Sequence, residues 1–433
     1  MIDLLNWRDG LAPGHARDTD GELLVGGVRA DELAAQYGTP LLALDLDAFD
    51  AAIAAFVDAC SPRDVEVAYA GKALLLVAIA RHLIGTALQL DVCSLGELAT
   101  AERAGFPASR LTLHGCGKSA AELDAVAQGR VGTIVADSLE EIERLASRAS
   151  ATSPIRVAVR VNTGIEAHTH AFVRTGGGNT KFGVPFGDLD AVIGALRAAT
   201  GLHYAGLHSH VGSQIYEAAT FAENVRALVE IAARFGRAGL RSELLIVGGG
   251  FGIQDNPAGA ATIDIATTIA TIAKALDEAI AATGIPRPRL GIEPGRALIG
   301  RAGTSIYRVM ARKQQSKRAF VVVDGSLSDN PRPALYGAYH HTVAATARAG
   351  VGDEVTLCGR SCENDVLAEA RLPVDLRGGD LVAMCTTGAY TYSMAGNYNR
   401  FAKPAVVAVR QGSHRLFARR QTLDDVLGED CDV

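Results

Sequence analysis

Three features of the sequence predict an α/β protein: a (β/α)8 barrel, TIM-like, joined to a C-terminal, mostly antiparallel β domain. Short apolar runs alternate with amphipathic, alanine-rich stretches eight times between Val65 and Ile292. Polar residues able to do chemistry follow nearly every run. Beyond Arg296 the alternation stops, and strand-like segments separated by turn residues take over.

The eight runs lie at 65–70, 88–92, 111–114, 133–136, 155–161, 204–209, 244–247 and 289–292. Each of the first seven precedes a helical pattern such as Leu95-Gly96-Glu97-Leu98-Ala99-Thr100-Ala101. Short buried-type strands separated by helices pair in parallel through right-handed crossovers. Their spread matches a barrel of about 250 residues; a doubly wound open sheet is the alternative. The barrel is preferred because polar residues at strand ends then ring one mouth, whereas an open sheet strings them along an edge. After Arg296, the segments 307–310, 319–323, 354–357, 380–384 and 405–409 have strand composition. Residues 36–296 are therefore expected to form the barrel, and 1–35 with 297–433 the β domain. Gly26-Gly27-Val28 and Leu41-Leu42-Ala43-Leu44 would add strands to the latter.

At 433 residues and 48% hydrophobic, the chain can bury a large core and is not a disordered one. A net charge of -6 without a basic block points away from nucleic acid. The seven cysteines are dispersed and form no C-x-x-C pair, so neither a zinc site nor a disulfide framework is expected. Free thiols fit a reducing cytoplasm. The N-terminal stretch carries acids and lacks a signal-peptide layout. The apolar run 73–80 is too short to span a bilayer.

The chemistry starts from Glu293-Pro294-Gly295-Arg296, at the end of the eighth run, and from Lys72 just after the first. Arg296 suits an anion, Glu293 a protonated ring nitrogen, and Lys72 an aldehyde, unless Glu293 and Arg296 merely pair with each other. Pyridoxal phosphate (PLP) presents all three groups, and a desolvated lysine forms Schiff bases. Gly248-Gly249-Gly250-Phe251-Gly252 follows the seventh run, and barrel enzymes commonly bind phosphate after strands seven and eight. A carboxylate at the ring nitrogen keeps it protonated and able to accept the electrons left when CO2 departs. His208 and His210 alternate along a strand and so point to opposite faces, which disfavours a shared metal. One of the two rings suits stacking on the cofactor, and Ser213 suits phosphate. Asp91, His114 and Arg160, also at strand ends, are candidate ring contacts. In the β domain, Cys362 beside Glu363 offers a proton donor. Arg332, Tyr336 and Tyr390 offer groups for substrate carboxylates.

Together these segments resemble the fold-type III PLP-dependent decarboxylases, whose architecture is that of alanine racemase. The resemblance runs over essentially the whole chain, through Tyr69-Ala70-Gly71-Lys72-Ala73, Leu90-Asp91-Val92-Cys93-Ser94, Ala167-His168-Thr169-His170, Lys181-Phe182-Gly183, His208 to Gln214, Gly248 to Gly252, Glu293 to Arg296, Arg332 to Tyr336, Cys362-Glu363 and Gly388 to Met394. It implies that Lys72 bonds the cofactor aldehyde, His210 stacks on the ring and Glu293 meets its nitrogen. Asp91, Ser213, Gly248, Gly249, Gly250, Gly252, Gly295, Arg296 and Tyr390 would complete the cofactor site. Arg296, Arg332, Tyr336, Glu363 and Tyr390 would contact substrate, with Cys362 as proton donor. It also implies a homodimer with shared active sites and, as substrate, meso-2,6-diaminopimelate, converted to L-lysine and CO2. A related amino acid such as ornithine, lysine or a carrier-bound acid is the alternative. Two departures bear on that choice: Asn364-Asp365 replaces the usual Ser-Gly-Asp after Cys362-Glu363, and Gly176-Gly177-Gly178-Asn179 is an insert.

Overall fold

The computed structural model describes residues 6–8, 10–165 and 180–431. The Ala167-His168-Thr169-His170 motif and the insert Gly176-Gly177-Gly178-Asn179 lie outside the described residues. The chain divides into two compact units, Ala54–Gly252 with Thr262–Gly295, and Met1–Ile53 with Ile253–Ala261 and Arg296–Val433.

The first unit is a closed barrel of eight parallel strands. They are β1 (Val65–Ala70), β2 (Gln89–Val92), β3 (Leu111–Leu113), β4 (Thr133–Ala136), β5 (Ile155–Arg160), β6 (Leu202–His208), β7 (Leu244–Ile246) and β8 (Arg289–Ile292). Each matches one apolar run, and β8 closes on β1 through Leu290–Val65 and Ile292–Val67. The open sheet is thereby excluded, and all eight carboxyl ends face one mouth. The loops after β2, β3 and β4 end on serine caps: Ser94, Ser119 and Ser138 accept from the backbone N–H of Glu97, Glu122 and Glu141. Each cap satisfies a donor that a helix start leaves open. Next to the last cap lies a buried ion pair: Lys118 Nζ donates to Glu141 Oε1 at 2.6 Å and to the carbonyls of Gly115 and Val135 at 2.7 Å each.

The second unit is built on a nine-stranded sheet. Its long strand Gly303–Gln315 pairs near its start with Leu41–Asp45 and Leu381–Cys385, and farther on with Arg318–Val323. Most pairings are antiparallel, as expected; Arg318–Val323 with Gly352–Cys358 and Leu41–Asp45 with Ala405–Arg410 are parallel. The N-terminal part differs from the sequence expectation in two ways. His15–Arg17, Leu23–Val25 and Val28–Arg29 make a small sheet of their own, which packs its Leu23, Val25 and Val28 into the core with Leu41 and Ile306. This unit also runs on to Ile53, past the edge placed near residue 35, because Leu41–Asp45 is a fully buried strand between two partners from the far end of the chain. Among the described residues no helix is long and apolar enough to cross a membrane.

Removing one partner of a buried ion pair strands the other charge. Lys118→Ala is expected to destabilise the barrel unit by about 3–5 kcal/mol, measured as the loss of unfolding free energy in urea by far-UV circular dichroism. Lys118→Met combined with Glu141→Leu is expected to recover most of it.

Candidate active site

The barrel mouth gathers its polar residues by strand register. Lys72 stands exposed on the single turn Gly71–Ala73 directly after β1. Fully buried Tyr69 pins that turn by donating its hydroxyl to the Leu74 carbonyl at 2.7 Å. The Ala70 N–H donates to the Pro294 carbonyl at 3.2 Å, tying the Lys72 loop to the loop that holds Glu293, Pro294 and Gly295. This junction follows from barrel closure, which makes β8 the neighbour of β1.

Four of these residues converge inside the mouth. Asp91 comes from β2, His114 from just past β3, His208 from the end of β6 and Glu293 from just past β8. His208 Nε2 donates to Glu293 Oε2 at 3.0 Å. His114 Nε2 lies 3.1 Å from Glu293 Oε1 and 3.5 Å from Asp91 Oδ1, and the two imidazoles meet edge to face at 5.1 Å. Glu293 therefore pairs with histidines. The donor atoms of His114, His208 and Glu293 lie within 4.8 Å of one another. His208 and His210 take different partners, Glu293 and the Gly249 backbone.

Charges in this cluster depart from their ordinary values. Burial pushes the Asp91 carboxyl up to about 7, helped by the Glu293 charge. Burial alone would depress His114, but Glu293 and Asp91 outweigh it and raise the imidazole to about 9. Burial takes His208 down to about 4, so it is a neutral donor. Glu293 resists burial because His114 and His208 hold it well below the carboxylate range, as an anion. Both Asp91 oxygens, Glu293 Oε1, His114 Nε2 and His208 Nδ1 are buried without a hydrogen-bond partner in line. Such orphans are costly unless a ligand satisfies them. Arg160, beyond them on β5, lies 3.8 Å from Asp137 and over the Phe182 ring at 4.4 Å.

A backbone cradle lies beside the cluster, after β7. A Cβ on Gly249 would stand 2.0 Å from the Glu293 carbonyl, and one on Gly250, at φ +93, 2.0 Å from the Gly212 carbonyl. Only glycine permits that approach, which brings the 248–252 loop onto the loops carrying Glu293 and His210–Ser213. The Gly249 N–H donates to His210 Nδ1 at 3.2 Å, which fixes the ring. Burial, with Lys72 and Arg160 nearby, keeps His210 neutral, well below its usual value. Gly248 and Gly252 flank the same cradle.

The second unit holds the remaining predicted residues in two places. Arg296 opens the helix Arg296–Ile299, its guanidinium 4.8 Å from the Tyr390 ring centre. Arg332 opens Arg332–Tyr336 and lies over Tyr336 at 5.4 Å and Tyr390 at 5.7 Å. Burial, then the Arg296 charge, lowers Arg332 to about 10, so it remains a cation at neutral pH. Tyr390 adopts φ +59, a left-handed conformation that a non-glycine residue holds at a cost. Two guanidiniums against one phenol ring form a seat for anions. Cys362 and Glu363 are elsewhere, exposed on a turn: the Cys362 N–H donates to Asn399 Oδ1 at 3.0 Å, and Tyr398 donates to Glu363. Tyr398 and Asn399, which hold this turn, carry no local sequence signal of that contact. The contact of His208 with Glu293 likewise has no local signal beyond the place of both at strand ends.

This geometry fits PLP. A buried anion suits a protonated ring nitrogen and a glycine cradle suits a phosphate; Lys72, expected to be desolvated, is instead exposed at the mouth, where its amine is accessible to an aldehyde. A barrel with such a mouth belongs to the class of PLP-dependent enzymes. Residues 46–300 match the pyridoxal-dependent decarboxylase family, pyridoxal binding domain. The chain is 44% identical over 422 residues to a diaminopimelate decarboxylase of Actinosynnema pretiosum subsp. auranticum, covering 96% of this chain and 94% of that one. It is 39% identical over 453 residues to the diaminopimelate decarboxylase of Mycobacterium tuberculosis H37Rv, covering 99% of each. A crystal structure of diaminopimelate decarboxylase from M. jannaschi superposes with a TM-score of 0.89 at 26% identity, covering 97% of this chain and 98% of that one. The chain belongs to the pyridoxal-dependent decarboxylases and, within them, to the diaminopimelate decarboxylase family.

Because His114 titrates at about 9 in the folded protein and at 6.5 as a free side chain, its folded form holds the proton more tightly. Its contribution to stability is complete below about 6.5 and is lost as pH rises through about 9. The apoprotein is expected to lose melting temperature between pH 7 and 10, and His114→Asn to flatten that slope in a thermal scan.

Proposed function

We propose that this protein, with PLP as cofactor, removes one carboxylate of meso-2,6-diaminopimelate as CO2 and yields L-lysine, a step of lysine biosynthesis. The observation that carries the reading is Glu293: a buried carboxylate kept anionic by two histidines, beside the loop that bears Lys72. The family of the full-length relatives supplies the substrate.

Bound PLP supplies an electron sink for the pair released when the carbon–carboxylate bond breaks. Lys72 would anchor the aldehyde through its amine, and neutral His210 would lie against the ring face. Glu293 would hold the proton on the ring nitrogen, with Asp91 nearby. Ser213 and the backbone at Gly248, Gly249, Gly250, Gly252 and Gly295 would bind the phosphate end, together with Arg296 and Tyr390. Arg332 and Arg296 would take the substrate carboxylates, and Tyr336, Tyr390 and Glu363 its remaining polar groups. Cys362 would deliver one proton to the carbon that lost CO2, so one C–C bond breaks and one C–H bond forms.

We read the protein as a cytoplasmic homodimer in which the Cys362 turn of one copy serves the site of the other. The exposure of Cys362 and Glu363 and the free state of the cysteines support this. Sedimentation at micromolar concentration is expected to give twice the chain mass; a monomer with full activity would refute it.

Purified protein is expected to release CO2 from meso-diaminopimelate in preference to ornithine or lysine. The altered segment after Glu363, where buried Asp365 accepts from the Leu327 N–H at 3.2 Å, is the reason to run that panel. Lys72→Ala should lose turnover and the visible absorbance of bound cofactor together. Cys362→Ala should lower kcat by about 10²–10⁴-fold, with cofactor still bound. A fully active Lys72→Ala protein would end the proposal.

A further inference from the structure

The charges at the barrel mouth do not balance. Asp91 and Glu293 are buried carboxylates, and the His114 imidazole lies between them, 3.5 Å from one and 3.1 Å from the other. His208 is the remaining partner of Glu293, at 3.0 Å. Two carboxylates flanked by one imidazolium and one neutral imidazole leave one negative charge uncompensated. No other cation makes direct contact with the pair: Arg160 lies 3.8 Å from Asp137 and acts on Glu293 only through space, and Lys72, exposed on its turn, acts on Asp91 in the same way. His210 takes a hydrogen bond from the Gly249 backbone.

We propose that His114 and His208 are positioning residues for Glu293: His208 fixes one carboxylate oxygen, and His114, shared with Asp91, leaves the cluster short of one positive charge that a protonated heterocyclic nitrogen supplies. The inference rests on the PLP reading above and concerns how the ring is selected in its protonated form. His208 can serve only as a neutral donor, since its Nδ1 is buried without a partner. That orients Glu293 Oε2 and leaves Oε1 to His114, 3.1 Å away. His114 lies close to both carboxylates yet in line with neither, as expected of a cation shared between two anions.

In the apoprotein, a proton on Asp91 makes up the missing charge, which agrees with burial raising its carboxyl to about 7. A cationic ring displaces that proton. Ring binding near neutral pH is therefore linked to proton release from Asp91.

The test titrates apoprotein with pyridoxine 5'-phosphate, which lacks the aldehyde and so leaves Lys72 chemistry aside. Calorimetry in two buffers of different ionisation enthalpy gives both affinity and protons released. His114→Asn is expected to bind at least about tenfold more weakly, because two buried carboxylates then face each other without a cation. Adding Asp91→Asn to it should restore affinity to within about threefold. Asp91→Asn alone should abolish the proton release seen with the unaltered protein near pH 7. His208→Phe should weaken binding, while His208→Asn, which keeps a donor, should retain more of it. Unchanged affinity in His114→Asn, no recovery in the double variant, or proton release persisting in Asp91→Asn would each overturn the inference. Circular dichroism identifies a variant that has failed to fold, and Asp91→Asn, nearly isosteric, then decides the matter. The functional reading fails separately, if the unaltered protein binds the ligand but decarboxylates nothing on the panel.

Discussion

Keeping one carboxylate charged inside a protein is the constraint on which this molecule turns. Desolvation pushes a buried acid towards its neutral form, and the barrel opposes that at Glu293 with two histidines from different strands. Only a closed barrel brings groups from β2, β3, β6 and β8 to a common point while every strand stays in its ladder. The same closure lays the Lys72 turn beside the 293–295 loop. Fold and electrostatics are thus one problem: the register that pairs Ile292 with Val67 also decides what the carboxylate faces.

The second unit solves a different problem with the same means. Arg296 and Arg332 are like charges in shared surroundings, and burial together with the Arg296 charge lowers Arg332. Tyr390, held in a left-handed conformation, offers its ring to both. An electron-rich face partly offsets a repulsion that would otherwise favour letting one guanidinium swing out to water.

Much of this was legible beforehand. All eight barrel strands coincide with apolar runs, because a strand buried on both faces needs a continuous apolar stretch, and helices between such runs leave few topologies. That polar residues at strand ends would gather at one mouth was legible for the same reason. The N-terminal edge was not. Leu41–Asp45 has the composition of a buried strand, but its partners lie at 303–306 and 405–409, and no local pattern reveals so distant a pairing. Val366–Pro373 was also missed, since its mixture of Ala, Glu, Arg and Leu suits a helix as well as a sheet edge. The His114–Glu293–His208 grouping needed three dimensions, because its members are far apart in sequence and nothing local pairs them.

The strand Gly303–Gln315 changes partners midway, leaving one neighbour set for another at Val309–Ala311. It is the spine on which both ends of the nine-stranded sheet hang. A protease that nicked its first half would unstitch the central strand Leu41–Asp45 from its antiparallel side, whereas the exposed hairpin tip at Ser316-Lys317 involves only the terminal pairing with Arg318. That tip is where a tag or reporter graft would sit most quietly.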